Sequence, residues 1–263
     1  MLFENFPTHR GPKFTMNMKP TGKSGLSMTS PTEASLEMLE KSIEEQLATM
    51  AEEDKSLSDP ITDGVVDIQK YLACSPRILW ILKEPYDEIT EGKPSRGGWS
   101  LTDELQKGLT NNKGTYPMMA YITYAIFNGF PQYSEIDLPT DNPDVAHALD
   151  RIAYINVSKF PGQKTSNPKY IEGAYCKMRD ILRQQIDGLA PDVIIGGNTL
   201  QLFFKDFGLT EEMFDGNSST GFLHKDGRLY IHAYHPGQWA TVTKNVYFDD
   251  IISVIRSHFP NPN

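Results

Sequence analysis

The stretch Arg77-Ile78-Leu79-Trp80-Ile81-Leu82-Lys83-Glu84-Pro85-Tyr86-Asp87 constrains the chain most. Its five consecutive apolar residues are too few for a helix. They are rich enough in branched and aromatic side chains to form a strand buried on both faces. Such strands belong to parallel sheets covered by helices on each side. The run then stops in Lys-Glu-Pro-Tyr-Asp, and in an open parallel sheet ligands sit beyond the carboxyl ends of the strands. Pro85 keeps Glu84 out of helical geometry and fixes its carboxylate at the strand end. The plain alternative is a surface turn with a solvated Glu.

Three more strands follow the same logic. Ile152 to Val157 reads as a second buried strand, Pro191 to Gly197 as a third, and Leu229 to Ala233 as a fourth. Helices are expected between and around them, near 101–110, 116–128, 170–187, 198–206 and 247–259, and a further element of unassigned type runs from about Asp63 to Leu72. Strands alternating with helices of a dozen or more residues imply a three-layer α/β/α sandwich around a central four-stranded parallel sheet.

Ahead of this domain, residues 1–30 mix Gly, Pro, Lys, Thr, Ser and Met without a period and read as an arm. Residues 31–58 read as an acidic amphipathic helix, started by Ser30 as N-cap, Pro31 and Glu33. Leu36, Leu39, Ile43, Leu47 and Met50 form its apolar stripe, to be buried on the main domain, 59–263, or on a second copy in a homodimer.

Charge is unevenly placed. The formal net charge of −9 divides into +3 for residues 1–30, −7 for 31–59 and −5 for the rest. The overall sign is mildly adverse to a DNA partner, but local patches decide binding. Two cysteines, Cys74 and Cys176, are too few for a disulfide framework and suggest a reducing, cytoplasmic setting, with Cys176 on the apolar side of its helix. No apolar run is long enough to span a membrane, and the N-terminus lacks the apolar core of a secretory signal.

Polar groups close three of the four strands: Glu84, Asn156 and His235. The third strand ends in Gly196-Gly197, which permits close approach of a ligand or a backbone. A carboxylate, an amide and an imidazole on one rim can position water, read a base edge and stabilise a developing anion. His232 and His235 lie on opposite sides of alternating strand geometry and lack a third ligand, so no metal is expected. Gly162-Gln163-Lys164-Thr165 lacks the glycine spacing of a phosphate loop.

In their order these strand ends resemble the uracil-DNA glycosylase superfamily over about residues 76–258. Leu82-Lys83-Glu84-Pro85-Tyr86-Asp87 is similar to that family's Gly-Gln-Asp-Pro-Tyr-His turn, with Glu84 in the place of the Asp. Tyr154-Ile155-Asn156-Val157-Ser158-Lys159 is similar to its base-reading Asn segment, and Tyr234-His235-Pro236-Gly237 to its His-Pro-Ser motif. Gly97-Gly98-Trp99-Ser100 stands like the segment whose aromatic ring stacks on the base.

The resemblance implies cleavage of the glycosidic bond of a base removed from the DNA stack, without a cofactor. Glu84 would orient water and stabilise positive charge on the sugar. His235 would donate to the carbonyl oxygen of the leaving base. Asn156 would read the base edge, Tyr86 or Trp99 would stack on it, and Lys83 and Gly196 would complete the binding site. Lys159, Lys164 and Lys169 would meet phosphates, and Trp239 would wedge into the duplex. The departures are Leu82 for Gly, Lys83 for Gln or Glu, and Gly237 for Ser. The alternative implied is a catalytically altered module of the same fold that binds a nucleobase or nucleic acid.

Overall fold

The computed structural model describes residues 30–87, 89–90, 93–94, 97–162, 166–216, 219–237 and 242–263. A single compact unit runs from Pro31 to Asn263. Its helices are α1 (Glu33–Glu53), α2 (Ile68–Ala73), α3 (Leu101–Gln106), α4 (Tyr116–Phe127), α5 (Pro143–Ala146), α6 (Pro168–Leu189), α7 (Phe204–Phe207) and α8 (Lys244–His258). Seven strands form one sheet: β1 (Gly64–Val65), β2 (Ile78–Leu82), β3 (Ala153–Asn156), β4 (Val193–Gly197), β5 (Asp215–Gly216), β6 (Thr220–Lys225) and β7 (Arg228–Ala233). None of the helices among the described residues is long and apolar enough to cross a membrane.

The sheet order is β1-β3-β2-β4-β7-β6-β5. The four strands read from the sequence are parallel to their neighbours, β3 with β2, β2 with β4, and β4 with β7. The sheet is nevertheless mixed and seven-stranded, a correction to the four strands expected. β1 adds an antiparallel edge beside β3, and β6 and β5 add two antiparallel strands beyond β7. Strands β1 and β5 are two residues long, too short to leave a pattern in the sequence. β6 pairs with β7 through Asp226-Gly227, both at positive φ (52° and 78°). That is the backbone a two-residue hairpin turn requires, and Asp-Gly supplies it cheaply.

Alternation along β2 divides the core. Ile78, Trp80 and Leu82 face one layer, built by α3, α4 and α8, with Leu101, Met119, Ile122, Phe248 and Ile251 among the buried contacts. Leu79 and Ile81 face the other layer, where Leu36, Ile43 and Leu47 of α1 and Ile181, Leu182 and Ile186 of α6 pack. Helices thus cover both faces, which is why the strands read as continuous apolar runs.

Helix α1 belongs to this unit and not to a separate segment. Its stripe is buried against the same chain: a Cβ on Gly188 of α6 would stand 2.7 Å from Leu39 Cδ2, and Gln46 donates to Gln184 at 2.9 Å. The cap is Thr32 instead of Ser30. Thr32 Oγ1 accepts from Ser35 N–H at 3.2 Å while Ser35 Oγ accepts from Thr32 N–H at 2.8 Å, a reciprocal box two residues beyond the one expected at Ser30. The helix expected near 198–206 is a 3-10 turn, Leu200–Phe203, followed by the single turn α7.

From β2 the chain moves to β3 on one side, then returns to β4 on the other side of β2, and continues outward to β7. Connections therefore leave β2 and β4 in opposite directions, and the carboxyl ends of these two strands border a topological switch point, where α/β sheets place ligands. Beyond the sheet the β2 and β3 segments keep pairing. Val157 N–H donates to Leu82 O at 2.9 Å, Ser158 N–H to Lys83 O at 2.8 Å, and Gly162 N–H to Pro85 O at 2.9 Å.

Candidate functional site

Glu84 lies in this extension, half-buried. A Cβ on Gly162 would stand 2.4 Å from Glu84 Cγ, so the absence of a side chain at 162 gives the carboxyl its place. The carboxyl hydrogen-bonds Ser166, and its Oε2 is buried without a partner among the described residues. Burial raises its pKa above the ordinary value, while the Ser166 hydrogen bond and the nearby Lys83 ammonium oppose that rise. Burial in turn lowers Lys83, and Glu84 opposes it. A carboxylate with one vacant oxygen and an elevated pKa is suited to take a proton from water.

His235 follows β7. Burial, reinforced by Lys83, pushes its pKa down to about 4, so the ring is neutral at physiological pH. Its Nδ1 accepts from the Gly237 N–H at 3.2 Å. A neutral imidazole that accepts at Nδ1 carries its proton on Nε2 and donates there. A Cβ on Gly197 would stand 2.4 Å from Leu82 Cδ2, 3.1 Å from Pro236 Cδ and 3.5 Å from His235 Cα. The ends of β2 and β4 and the His-Pro turn therefore meet, and Lys83 is close enough to both Glu84 and His235 to shift their titration. A Cβ on Gly237 would stand 3.0 Å from Thr115 Oγ1, so a hydroxyl from the start of α4 crowds the position after the turn.

Asn156 ends β3, paired with Leu82, and is wholly buried. The Tyr154 hydroxyl donates to its Oδ1 at 3.0 Å, and its Nδ2 has no partner among the described residues. Its backbone N–H donates to Asp63 Oδ2 at 2.8 Å. Asp63 Oδ1 also accepts from Lys159 Nζ at 2.6 Å and Gln185 Nε2 at 3.1 Å. Lys159, expected on phosphates, is 0% exposed and neutralises a buried carboxylate instead. Burial lowers its pKa, opposed by Asp63. This cluster holds the end of β3 from behind, and neither Asp63 nor Gln185 was visible as a site residue: each looks like an ordinary polar residue until β1 and α6 are placed against β3.

The other expected residues are more dispersed. Tyr86 is 51% exposed and forms an isolated bridge with Gly162, beside Glu84. Trp99 packs partly against the core and lines a cavity of about 730 Å³ with Glu44, Asp59, Asp103 and Glu104; Glu84, Asn156 and His235 are not among its walls. Gly196 is corrected: its side is filled by the chain itself, since a Cβ there would stand 2.5 Å from Leu200 Cβ and 2.7 Å from Leu200 N. Gly197 is the glycine turned toward the site. Lys164 and Trp239 lie outside the described residues. Cys176, expected to be buried, is exposed on α6.

His232 and His235 diverge: the His232 ring lies edge-on to Phe204 and Phe214, away from the Gly237 contact of His235. Among the described residues no group of three or more His, Cys, Asp or Glu side chains is placed to hold a metal ion. No protein-family model matches this chain, and none of the curated proteins matches it.

Proposed function

We propose that this chain is a divergent member of the uracil-DNA glycosylase superfamily, with an α/β/α sandwich of that family's type, and that it hydrolyses the N-glycosidic bond of uracil or another damaged base in DNA. The observation that carries this reading is the neutral His235, its proton held on Nε2 by the Gly237 N–H, beside Lys83 and the half-buried Glu84 carboxylate at one switch point.

Cleavage of a glycosidic bond leaves positive charge on the sugar and negative charge on the departing base. Glu84 stabilises the first and accepts a proton from the attacking water. The water oxygen bonds to C1′ as the C1′–N bond breaks, and the bonding pair leaves with the base. His235 Nε2–H donates to the base oxygen where that charge collects, and the Lys83 ammonium adds a favourable field. A neutral donor suits the task, because it stabilises the anion without having to release a proton. Asn156 reads the base edge through Nδ2, and the exposed Tyr86 ring stacks on the base. With Lys159 buried, Lys169, exposed at the start of α6, is the phosphate contact among the described lysines of this region.

A second reading, a module that binds a nucleobase without cleaving it, is favoured by one feature. Leu82 stands where the family has Gly, and its Cδ2 fills the space beside Gly197. The test is to incubate the protein with uracil-containing single- and double-stranded oligonucleotides and cleave abasic sites with alkali. Strand scission that disappears in Glu84→Ala supports hydrolysis. Binding that survives in Glu84→Ala, with no scission by either protein, supports the module.

A further inference from the structure

Two histidines lie away from the switch point and face each other. His224, on the edge strand β6, pairs with Leu229 at the start of β7, whereas His235 follows the other end of that six-residue strand, roughly 20 Å along it. His258 is the last residue of α8. The two rings meet with their centres 5.5 Å apart and their planes inclined by 33°. An imidazole nitrogen lies about 2.0 Å from a bound Zn²⁺, which puts the ring centre about 3.2 Å from the ion. Two rings on one tetrahedral ion then have centres about 5.2 Å apart, close to the separation seen.

The His258 ring is already set as a ligand. Its Nδ1 lies 2.8 Å from Val254 O, and a carbonyl oxygen can only accept, so Nδ1 carries the proton. Ser257 Oγ, 3.0 Å from the same nitrogen, gives its own proton to Val254 O at 2.7 Å and fits that tautomer. In the neutral ring Nε2 is then the lone-pair atom. Metal-bound histidines are held in this way, the other ring N–H donating to a carbonyl, a carboxylate or water. Phe222, on the same face of β6 as His224, backs the His258 ring edge-on at 6.1 Å. His224 is exposed, and neither of its ring nitrogens has a hydrogen-bond partner among the described residues. The neighbouring cations are engaged elsewhere: Lys225 Nζ donates to Phe207 O at 2.9 Å, and the Arg256 guanidinium lies over the Phe130 ring at 5.7 Å. The end of α8 adds the negative pole of a helix dipole, which favours a cation.

We propose that His224 and His258 bind a divalent transition-metal ion of the Zn²⁺, Ni²⁺ or Cu²⁺ class, each imidazole supplying one nitrogen and water filling the remaining positions. Imidazole suits these ions, whereas Mg²⁺ and Ca²⁺ take oxygen ligands. Two protein ligands leave the ion open to solvent, so it binds more weakly than in a closed four-ligand site. The ion ties the edge strand β6 to the end of the last helix and thereby stabilises the folded chain. This inference does not rest on the nucleobase reading.

Isothermal titration calorimetry of the untagged full chain with zinc chloride, and separately with magnesium chloride, tests the site. Zn²⁺ should bind with a stoichiometry of one, and Mg²⁺ should give no binding heat. His224→Ala and His258→Ala should each weaken Zn²⁺ binding by about tenfold or more. Both side chains reach solvent, so both variants should fold, which far-ultraviolet circular dichroism checks. In NMR spectra of the wild type, substoichiometric Cu²⁺ should broaden the imidazole signals of His224 and His258 ahead of those of the other histidines. That readout separates direct ligation from an indirect loss. No binding of Zn²⁺, binding unchanged in both variants, or a loss in only one of them overturns the proposal. So does broadening centred on another histidine.

Discussion

Replacing Asp63 by Ala removes the carboxylate that holds the end of β3. Its two oxygens accept from the Asn156 N–H at 2.8 Å, Lys159 Nζ at 2.6 Å and Gln185 Nε2 at 3.1 Å, all buried. Truncation leaves the Lys159 ammonium, 0% exposed, without a counter-charge. Breaking a buried ion pair from one side costs about 3–5 kcal/mol. The two lost hydrogen bonds act in the same direction, although their costs do not simply add. Total stability of a domain is about 5–15 kcal/mol, so a third or more is at stake. With a urea dependence of about 2 kcal/mol per molar, the unfolding midpoint should fall by roughly 2 M at pH 7. Burial already lowers Lys159, and without Asp63 its folded pKa drops further below the unfolded value. The folded state then binds fewer protons than the unfolded one, so Asp63→Ala should regain stability as pH rises toward 10. The double variant Asp63→Ala/Lys159→Met should be more stable than Asp63→Ala alone, because no charge is left stranded. A midpoint shift under about 0.5 M, or a double variant less stable than the single, would refute the reasoning.

Other outcomes follow from neighbouring residues. Glu40 on α1 has its pKa raised to about 7, chiefly by burial, while its Oε1 accepts from Val65 N–H at 3.1 Å. Its folded pKa exceeds the unfolded one, so this contribution to stability is complete below about pH 4.5 and is lost as pH rises through 7. The group is partly solvated, so the change is about 1–2 kcal/mol, and urea midpoints at pH 5 and 7 should converge in Glu40→Gln. Gly162→Ala puts a methyl 2.4 Å from Glu84 Cγ and should reduce base release by more than about tenfold, with the far-ultraviolet circular dichroism spectrum unchanged. Nitrogen-15 NMR should find His235 neutral and protonated on Nε2 from pH 5 to 8, titrating near 4; a midpoint near 6.5 would contradict its burial and the Lys83 contact.

Much of the framework was legible because burial leaves a mark in composition. Ile78–Leu82, Ile152–Val157 and Val193–Gly197 are apolar on both faces, and each proved to be a strand between two helical layers. The Thr220–Lys225 strand and the Asp226-Gly227 turn after it were missed, the strand because its burial is partial and its alternation weak. Glu84, Asn156 and His235 could be placed at strand ends from sequence alone. What surrounds them could not, since Asp63 reaches Asn156 and Lys159 across 93 and 96 residues of chain. Lys159 shows the hazard: a lysine among lysines reads as a phosphate contact, and only the position of Asp63 shows that its charge is spent internally. Gly196 and Gly197 differ by one residue and face opposite layers, a distinction that register alone decides.

The central claim is that Glu84 and His235 act together on a glycosidic bond. The direct measurement is single-turnover release of free base from a uracil-containing oligonucleotide, followed by mass spectrometry, for the full chain and for Glu84→Ala and His235→Ala. Release by the wild type, reduced by about a hundredfold or more in each variant, is the predicted result. Release that persists undiminished in both variants, or a wild-type protein that releases no base from uracil or hypoxanthine substrates, would contradict it.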